Sequence, residues 1–335
     1  MASASRRRCV TQCTGQTFVI RIAGRSLTVC GDASLSAVQP AFSGVIVPNE
    51  PGISPAPTLK ISTHPDPAAQ PEWAALSIGS HRIPDGSLAV IRRAPSSVEQ
   101  FAPGPNPALL LDASPAALAG GDLRAQPAHH ALAAWLSGPT LQVVHAGAVA
   151  MEGRGVLFIG VGGRGKTTTA LACTQAGFAF LGDDLCVVEA GNPAQDTPAR
   201  VYGVYATAKV NADTRERLQM TDWPSLGITP RQKLVIALPL HMKFQRSARL
   251  VAIVAVRAGD ESIPQPRRVS QRAAIELLAS TALPIASGSG TPAHWLSTAA
   301  ALVREVPTFE LGLNWDLKHV TSAILTLVLP PANTR

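Results

Sequence analysis

A glycine-rich segment, residues 160–167, limits the possible folds of this chain more than any other feature. It matches the phosphate-binding loop pattern GxxxxGK[ST]. The apolar run 155–159 before it has the composition of a strand, and residues 168–175 after it favour a helix. A glycine-rich loop between a strand and a helix predicts an α/β protein that binds a nucleoside triphosphate. The alternative is a glycine-rich turn that matches the pattern by chance.

The residue types in this segment each have a chemical reason to be there. Glycines let successive backbone N–H groups turn toward phosphate oxygens, and the following helix adds the positive end of its dipole. Lys166 is expected to reach the β- and γ-phosphates of ATP, and the Thr167 hydroxyl to bind Mg²⁺. The predicted nucleotide contacts are Gly160, Val161, Gly162, Gly163, Arg164, Gly165, Lys166, Thr167 and Thr168.

Two adjacent carboxylates, Asp183 and Asp184, follow an apolar run of strand type. Ligands of open α/β sheets collect at the carboxyl ends of strands, so this pair is expected to face the nucleotide. One carboxylate would hold the metal and the other would accept a proton from a nucleophile. Side chains alternate along a strand, so both reach one site only if the chain turns here, which Gly182 permits. The alternative is a solvated surface loop.

His145 lies near the start of segment 143–150, which is predicted as one strand. The connection 151–155 contains two glycines and predicts a tight hairpin to the strand before the glycine-rich loop. His145 would then lie at a sheet end near the nucleotide. A lone histidine beside an apolar run is more often a core or surface residue. Together with the loop and the acidic pair, it is a candidate metal or phosphate contact.

The order and spacing of His145, the glycine-rich loop and the acidic pair resemble those of the bacterial HPr kinase/phosphorylase family. The stretches HAGAVA, GRGVLFIG, GRGKTTTALA and FLGDD are similar to a group of HPr-kinase-related proteins, some of which phosphorylate the C-terminal serine of a lasso-peptide precursor. The resemblance covers residues 143–188, with weaker similarity to about residue 325. It implies a fold related to phosphoenolpyruvate carboxykinase and an ATP-dependent kinase that phosphorylates a serine hydroxyl of a peptide or protein, with a lasso-type precursor peptide as one such substrate.

The resemblance also implies a part for each site residue. Asp183 would be the general base, Asp184 and Thr167 would hold Mg²⁺, and Lys166 would bind the transferred phosphate. His145 would support the acidic pair. Adjacent carboxylates can share both tasks, so which aspartate takes which part stays open.

Residues 200–210 depart from the bifunctional enzymes because they contain no carboxylate. Phosphorylase activity and HPr as the substrate are therefore not expected. Lys209 resembles a lysine of the smaller kinase-like group and is a candidate phosphate or substrate contact. A strand-edge lysine that extends to water is the equal alternative.

Two further functions stay open. One is a P-loop NTPase with a regulatory or energy-coupling role, and the other is a small-molecule kinase. Hydrolysis requires only a positioned water, so the second carboxylate of the acidic pair favours a kinase.

The predicted fold class is α/β, with a P-loop kinase core of the HPr kinase/phosphoenolpyruvate carboxykinase type and a small β-rich N-terminal region. Alternating apolar residues in 14–46 predict antiparallel strands. The predicted domains are a β-rich N-terminal region, 1–125, and an HPr-kinase-like P-loop kinase domain, 126–335. In the helix predicted at 129–136, His129 and His130 are expected to face different sides.

The net charge of +7 suits a triphosphate and an acidic peptide. The basic clusters are separated and lack aromatic neighbours, so a nucleic-acid partner is not expected. No secretory signal is visible and no apolar run is long enough to span a membrane. Five cysteines without regular spacing suggest a reducing cytoplasm and no zinc site. A homo-oligomer is a further expectation, because the bifunctional relatives are hexameric.

Overall fold

The described part of the chain is a mixed α/β structure built on three sheets. The computed structural model describes residues 15–48, 57–259, 263–281, 292–314 and 316–329. These residues form twenty strands and ten α-helices. The mixed α/β class predicted from the sequence is therefore confirmed. Among the described residues, no helix combines the length and the apolar character that crossing a bilayer requires.

The first sheet contains eight strands: β1 (Gln16–Ile22), β2 (Arg25–Gly31), β3 (Ile46–Val47), β4 (Thr58–Thr63), β5 (Gly79–Arg82), β6 (Leu88–Arg93), β7 (Ser96–Ala102) and β8 (Ala108–Ala113). Their order in the sheet is β3-β1-β2-β4-β8-β7-β6-β5. The pairs β2–β4 and β4–β8 are parallel, and the other pairs are antiparallel. The antiparallel strands predicted in the N-terminal part are present, and two parallel pairs join them.

The second sheet contains β9 (Leu141–Val144), β10 (Gly147–Met151), β11 (Arg154–Ile159), β12 (Ala179–Gly182), β13 (Cys186–Glu189), β14 (Arg200–Gly203), β18 (Ser247–Ala258), β19 (Arg267–Arg268) and β20 (Thr308–Leu313). The order is β12-β10-β11-β18-β14-β13-β9, with β20 beside β18 and β19 beside β20. Because β11 runs parallel to β18 and β18 runs parallel to β20, the carboxyl ends of these three strands meet at one edge. This edge carries the glycine-rich loop.

The third sheet is small and has the order β15-β17-β16. Its strands are β15 (Thr207–Val210), β16 (Ser225–Ile228) and β17 (Leu234–Ala237).

The ten α-helices of the described residues are α1 (Leu35–Phe42), α2 (Pro71–Ala74), α3 (Pro115–Ala119), α4 (Gly121–Ala125), α5 (His129–Leu136), α6 (Lys166–Gln175), α7 (Ala212–Arg217), α8 (Gln271–Ala279), α9 (Pro292–Glu305) and α10 (Leu317–Val328).

Helices cover both faces of the second sheet. Val156 and Phe158 of β11 pack in one core cluster with α6 and α10. Leu157 and Ile159 point to the opposite face and pack with α8 and α9. Burial on both faces explains why this strand is continuously apolar.

One hydrophobic cluster joins the first sheet to the edge of the second. It includes Ile20 and Leu59 from the first sheet and Val143 and Val187 from β9 and β13. Tyr205 is fully buried in this cluster, and its hydroxyl donates a hydrogen bond of 2.8 Å to the carbonyl of Pro127. The N-terminal residues therefore pack directly on the sheet that carries the loop. The domain division at residues 125 and 126 stays a prediction.

The segment around His145 differs from the sequence prediction. Residues 143–150 are not one strand, because β9 pairs with β13 whereas β10 pairs with β11 and β12. The chain must change neighbours between them, and His145 lies in this gap with its backbone N–H bonded to the carbonyl of Thr281 at 3.0 Å. The predicted hairpin between β10 and β11 is confirmed, and Glu152 and Gly153 turn it with positive φ angles.

The three cysteines in the described part of the chain fall into two groups, and Cys9 and Cys13 lie outside the described residues. Cys173 and Cys186 are buried free thiols, as expected, and burial raises the pKa of both. Cys30, by contrast, is disulfide-bonded. Disulfides are typical of oxidising environments, so the cysteines do not support the reducing compartment that their number and spacing suggested. The cytoplasmic location stays a prediction.

Candidate active site

The glycine-rich loop joins the end of β11 to the start of α6. Gly160, Gly163 and Gly165 have φ angles of 138°, 80° and 98°, which residues with side chains rarely adopt. A Cβ on Gly160 would lie 2.8 Å from the carbonyl oxygen of Val256, so β18 also requires glycine there. The loop therefore has the strand–loop–helix context and the backbone freedom that a phosphate cradle requires.

Lys166, the first residue of α6, folds back over the loop. Its Nζ donates hydrogen bonds to the carbonyl oxygens of Gly160 at 2.8 Å and Val161 at 3.4 Å. The residue is only 5% exposed, and burial lowers the pKa of its amine. The amine is thus held at the loop by two neutral acceptors, which phosphate oxygens can replace.

A hydrogen bond from Thr167 links the loop to the acidic pair. Its hydroxyl donates a hydrogen bond of 2.8 Å to Oδ1 of Asp183, and the backbone N–H of Lys209 donates to Oδ2 at 3.4 Å. Asp183 is 1% exposed. Burial and the neighbouring charge of Asp184 raise the pKa of Asp183 to about 7. The prediction that this carboxylate lies beside the loop agrees with these contacts.

Asp184 follows in a left-handed conformation with φ 63°, and its side chain takes a different direction. Its carboxylate faces a cavity, where Oδ1 lies 3.7 Å from Nε2 of His145 and Oδ2 lies 3.9 Å from Nζ of Lys209. The turn that two adjacent carboxylates need is therefore made by Asp184 itself. Sequence reasoning assigned this turn to Gly182, which is the last residue of β12.

Lys209 connects the acidic pair to the N-terminal half. Its Nζ donates a hydrogen bond of 2.7 Å to Oε1 of Gln126 and lies 3.5 Å from Oδ1 of Asp122 on α4. Sequence reasoning found Lys209 but missed both partners. Glutamine and aspartate near a short helix give no signal in a single sequence.

A cavity of about 660 Å³ lies over these groups. Its floor is the loop from Gly162 to Thr168, together with His145, Asp184 and Lys209. Gly160, Val161 and Asp183 do not line it: Gly160 accepts the bond from Lys166, Val161 is 67% exposed, and Asp183 lies beneath Thr167. Further walls, all missed by sequence reasoning, are Arg92, Asp122, Gln126, His129, His130, Arg217, Arg231, Lys233, Ala258, Gly259, Leu313, Asn314 and Leu317.

The two histidines of α5 differ from the sequence expectation. His129 and His130 do not face different sides, since both line the cavity and their ring centroids are 5.1 Å apart. The reason is that consecutive residues of a helix are only about 100° apart around its axis, so both rings can border one cavity at the start of the helix. Burial lowers the pKa of His129 to about 3, so this ring is neutral.

The donor set fits a nucleotide with Mg²⁺. The glycine cradle and Lys166 suit phosphates, and the Thr167 hydroxyl with a carboxylate suits Mg²⁺, which prefers oxygen ligands. Within the described residues, no group of three or more His, Cys, Asp or Glu is placed to hold a metal. Such a group is not required, because Mg²⁺ at nucleotide sites takes one or two protein ligands and completes its shell with phosphates and water.

Comparison with known proteins adds little to this geometry. No protein-family model and no curated protein matches the chain. A solved structure, the HPr(Ser) kinase/phosphatase from Coxiella burnetii, is similar over 55% of this chain and 95% of its own, with 12% identity and a TM-score of 0.30. A similarity at that TM-score carries no argument about function.

Proposed function

We propose that this protein is an ATP-dependent kinase of the HPr-kinase-like type, which transfers the γ-phosphate to a serine hydroxyl of a peptide or protein. A lasso-type precursor peptide is the substrate that the sequence resemblance implies. The observation that carries the proposal is the separation of the two adjacent carboxylates. Asp183 is buried against the Thr167 hydroxyl, while Asp184 faces the cavity beside His145 and Lys209. Hydrolysis needs no carboxylate in the cavity beyond the group that holds the metal.

The contacts favour an assignment of the base and the metal ligand that reverses the one implied by the resemblance. The raised pKa of Asp183 suits a general base, but a base must reach the acceptor hydroxyl, and Asp183 is buried below the cavity floor. Asp184 lines the cavity and meets that requirement. We therefore assign the base to Asp184 and the metal side to the Thr167 hydroxyl, which lines the cavity, with Asp183 bonded directly behind it.

In this proposal, the side chains act as follows. Lys166 exchanges its two loop carbonyls for phosphate oxygens, and the loop N–H groups orient the triphosphate. Asp184 accepts the proton of the acceptor hydroxyl while the hydroxyl oxygen bonds to the γ-phosphorus. The bond from that phosphorus to the β–γ bridging oxygen breaks, and ADP keeps the electron pair. His145 and Lys209 hold the carboxylate in position. Mg²⁺, held by Thr167 and Asp183, would neutralise charge on the phosphate oxygens.

The test is transfer of label from γ-labelled ATP to peptides that end in serine, with the same peptides ending in alanine as matched controls. The proposal expects label in the serine peptides alone. Label that appears only as free phosphate would support an NTPase with a regulatory role instead. Label in a small polyol or sugar, but in none of the peptides, would support a small-molecule kinase.

A further inference from the structure

The third sheet carries two cations that the proposed mechanism does not use. A hairpin joins β16 to β17, and its connection, residues 229–233, includes Arg231 and Lys233. Both residues line the cavity that the glycine-rich loop also lines. Within the described residues, neither side chain has a hydrogen bond or an ion pair. Two cations that face a cavity without partners attract an anionic ligand to it.

The backbone of this hairpin is well defined by its own hydrogen bonds. The N–H of Thr229 donates to the carbonyl of Lys233 at 2.8 Å, and the N–H of Lys233 donates to the Thr229 hydroxyl at 3.1 Å. The hairpin also packs against α4, where a Cβ on Gly121 would lie 2.8 Å from a methyl group of Val235. Arg124 donates a 3.0 Å hydrogen bond to the carbonyl of Leu226. The two cations thus belong to a hairpin whose backbone is fixed by hydrogen bonds and by packing against α4.

The strand register places Lys233 on the same side as Lys209. Lys209 of β15 pairs with Val235 of β17, and Lys233 precedes Val235 by two residues. Lys233 directly precedes β17, and both lysines line the cavity. The other face of the sheet carries Ala208 and Ile236, which are buried in the core.

The position of Lys233 within the cavity follows from its neighbours. Its positive charge contributes to lowering the pKa of both Lys166 and His145, after the larger effect of burial in each case. Lys233, Lys166 and His145 all line the same cavity. In a transfer reaction, the terminal phosphate must lie in this cavity, because it passes from the loop to the acceptor.

We propose that Lys233, assisted by Arg231, is a second cationic contact for the terminal phosphate of the nucleotide and binds it from the side opposite Lys166. This inference rests on the proposed function, because it requires a triphosphate on the loop. It assigns to the hairpin the ability to distinguish a triphosphate from a diphosphate.

The experiment measures the affinity for ATP and for ADP by calorimetry, with Mg²⁺ present and no acceptor. Lys233→Ala should weaken ATP binding about tenfold or more, since a charge-assisted contact to phosphate is lost, and should leave ADP binding within about twofold. Lys233→Arg should restore most of the ATP affinity. Lys243→Ala is the matched control, because it removes the same charge from an exposed position outside the cavity.

Two results would overturn the inference. Either unchanged ATP affinity in Lys233→Ala or an equal loss of ATP and ADP affinity would show that Lys233 does not contact the terminal phosphate. Lys233→Gln and Arg231→Gln provide the same comparison if the alanine variant does not fold. Failure of the proposed function has a different signature, because no label would then pass from ATP to a serine peptide, whatever the ATP affinity of Lys233→Ala.

Discussion

The Thr167 hydroxyl donates a hydrogen bond of 2.8 Å to a carboxylate oxygen of Asp183. This bond joins the first turn of α6 to the residue that follows β12. It lies beneath the floor of the cavity, where Asp183 is 1% exposed. Because an oxygen of each side chain can also bind a hard cation, the same pair can hold Mg²⁺ when a nucleotide is bound.

Replacing Asp183 should reduce the effect of Mg²⁺ on nucleotide binding. Asp183→Asn keeps the size of the side chain and an oxygen that accepts from Thr167, but it removes the negative charge. We expect the affinity for Mg²⁺ in the presence of ATP to fall roughly tenfold to a hundredfold, the range seen when a metal's supporting groups are lost. ATP titrations at several Mg²⁺ concentrations measure this. Equal Mg²⁺ dependence in variant and wild type would remove Asp183 from the metal site.

Replacing Asp184 should affect transfer more than binding. Asp184→Asn cannot accept the proton of the acceptor hydroxyl, so we expect the transfer rate to fall on the order of 10²-fold or more. ATP affinity should stay within a few-fold, because Lys166 and the loop remain. Single-turnover transfer to a serine peptide measures the rate. If Asp184→Asn transfers normally and Asp183→Asn does not, the base is Asp183, as the family resemblance implies.

A methyl group at Gly160 should disable the loop. Gly160→Ala forces alanine into φ 138° and places its Cβ 2.8 Å from the carbonyl oxygen of Val256, so the loop must shift. We expect ATP affinity to fall at least about tenfold. Gly153→Ala is the matched control. Gly153 also has a positive φ, 77°, but it lies in the β10–β11 hairpin and has open space where a Cβ would be added. Comparable ATP affinity in the two variants would contradict the cradle.

Glu99 should make stability depend on pH in acid. Its buried carboxylate accepts hydrogen bonds from the N–H groups of His130 at 2.7 Å and Ala131 at 3.3 Å, at the start of α5. Burial alone would raise the pKa of Glu99, but the neighbouring His130 and Arg92 lower it from 4.5 to about 2. Because the folded-state pKa is depressed, this stabilisation is complete above pH 4.5 and is lost as the pH falls toward 2.

The shift corresponds to roughly 3 kcal/mol of the free energy of unfolding. Urea unfolding at pH 6 and pH 3 should show Glu99→Gln destabilised by about that amount at pH 6, and much less at pH 3. Glu276→Gln is the control, because Glu276 forms an exposed pair with Arg272, which should contribute at most about 1 kcal/mol. A Glu99 variant as stable as wild type at pH 6 would refute the pairing.

The loop and the acidic pair could be predicted from the sequence because their signals are local. Glycines at fixed spacing, a lysine and a threonine specify their own backbone geometry, but the structure places Thr167 against Asp183 and not against Asp184, the partner that the resemblance implied. Helix α5 was also predicted with the observed bounds, because it is a short segment between clear breaks.

The remainder of the site could not be predicted because it depends on contacts between distant segments. Gln126 reaches Lys209 across 83 residues of chain, and Lys233 enters the cavity only because β17 pairs with β15. The break at His145 has the same origin, since β9 and β10 pair with different strands. No local pattern records which strand will lie beside which.

Binding of the triphosphate depends most directly on the amine of Lys166. Calorimetric titration of Mg·ATP into the wild-type protein and into Lys166→Ala tests this in one comparison. We predict binding to the wild type and a loss of affinity of at least about a hundredfold in the variant, since a buried charge-assisted contact disappears. Equal affinity in the two proteins, or a wild-type protein that does not bind ATP, would contradict it.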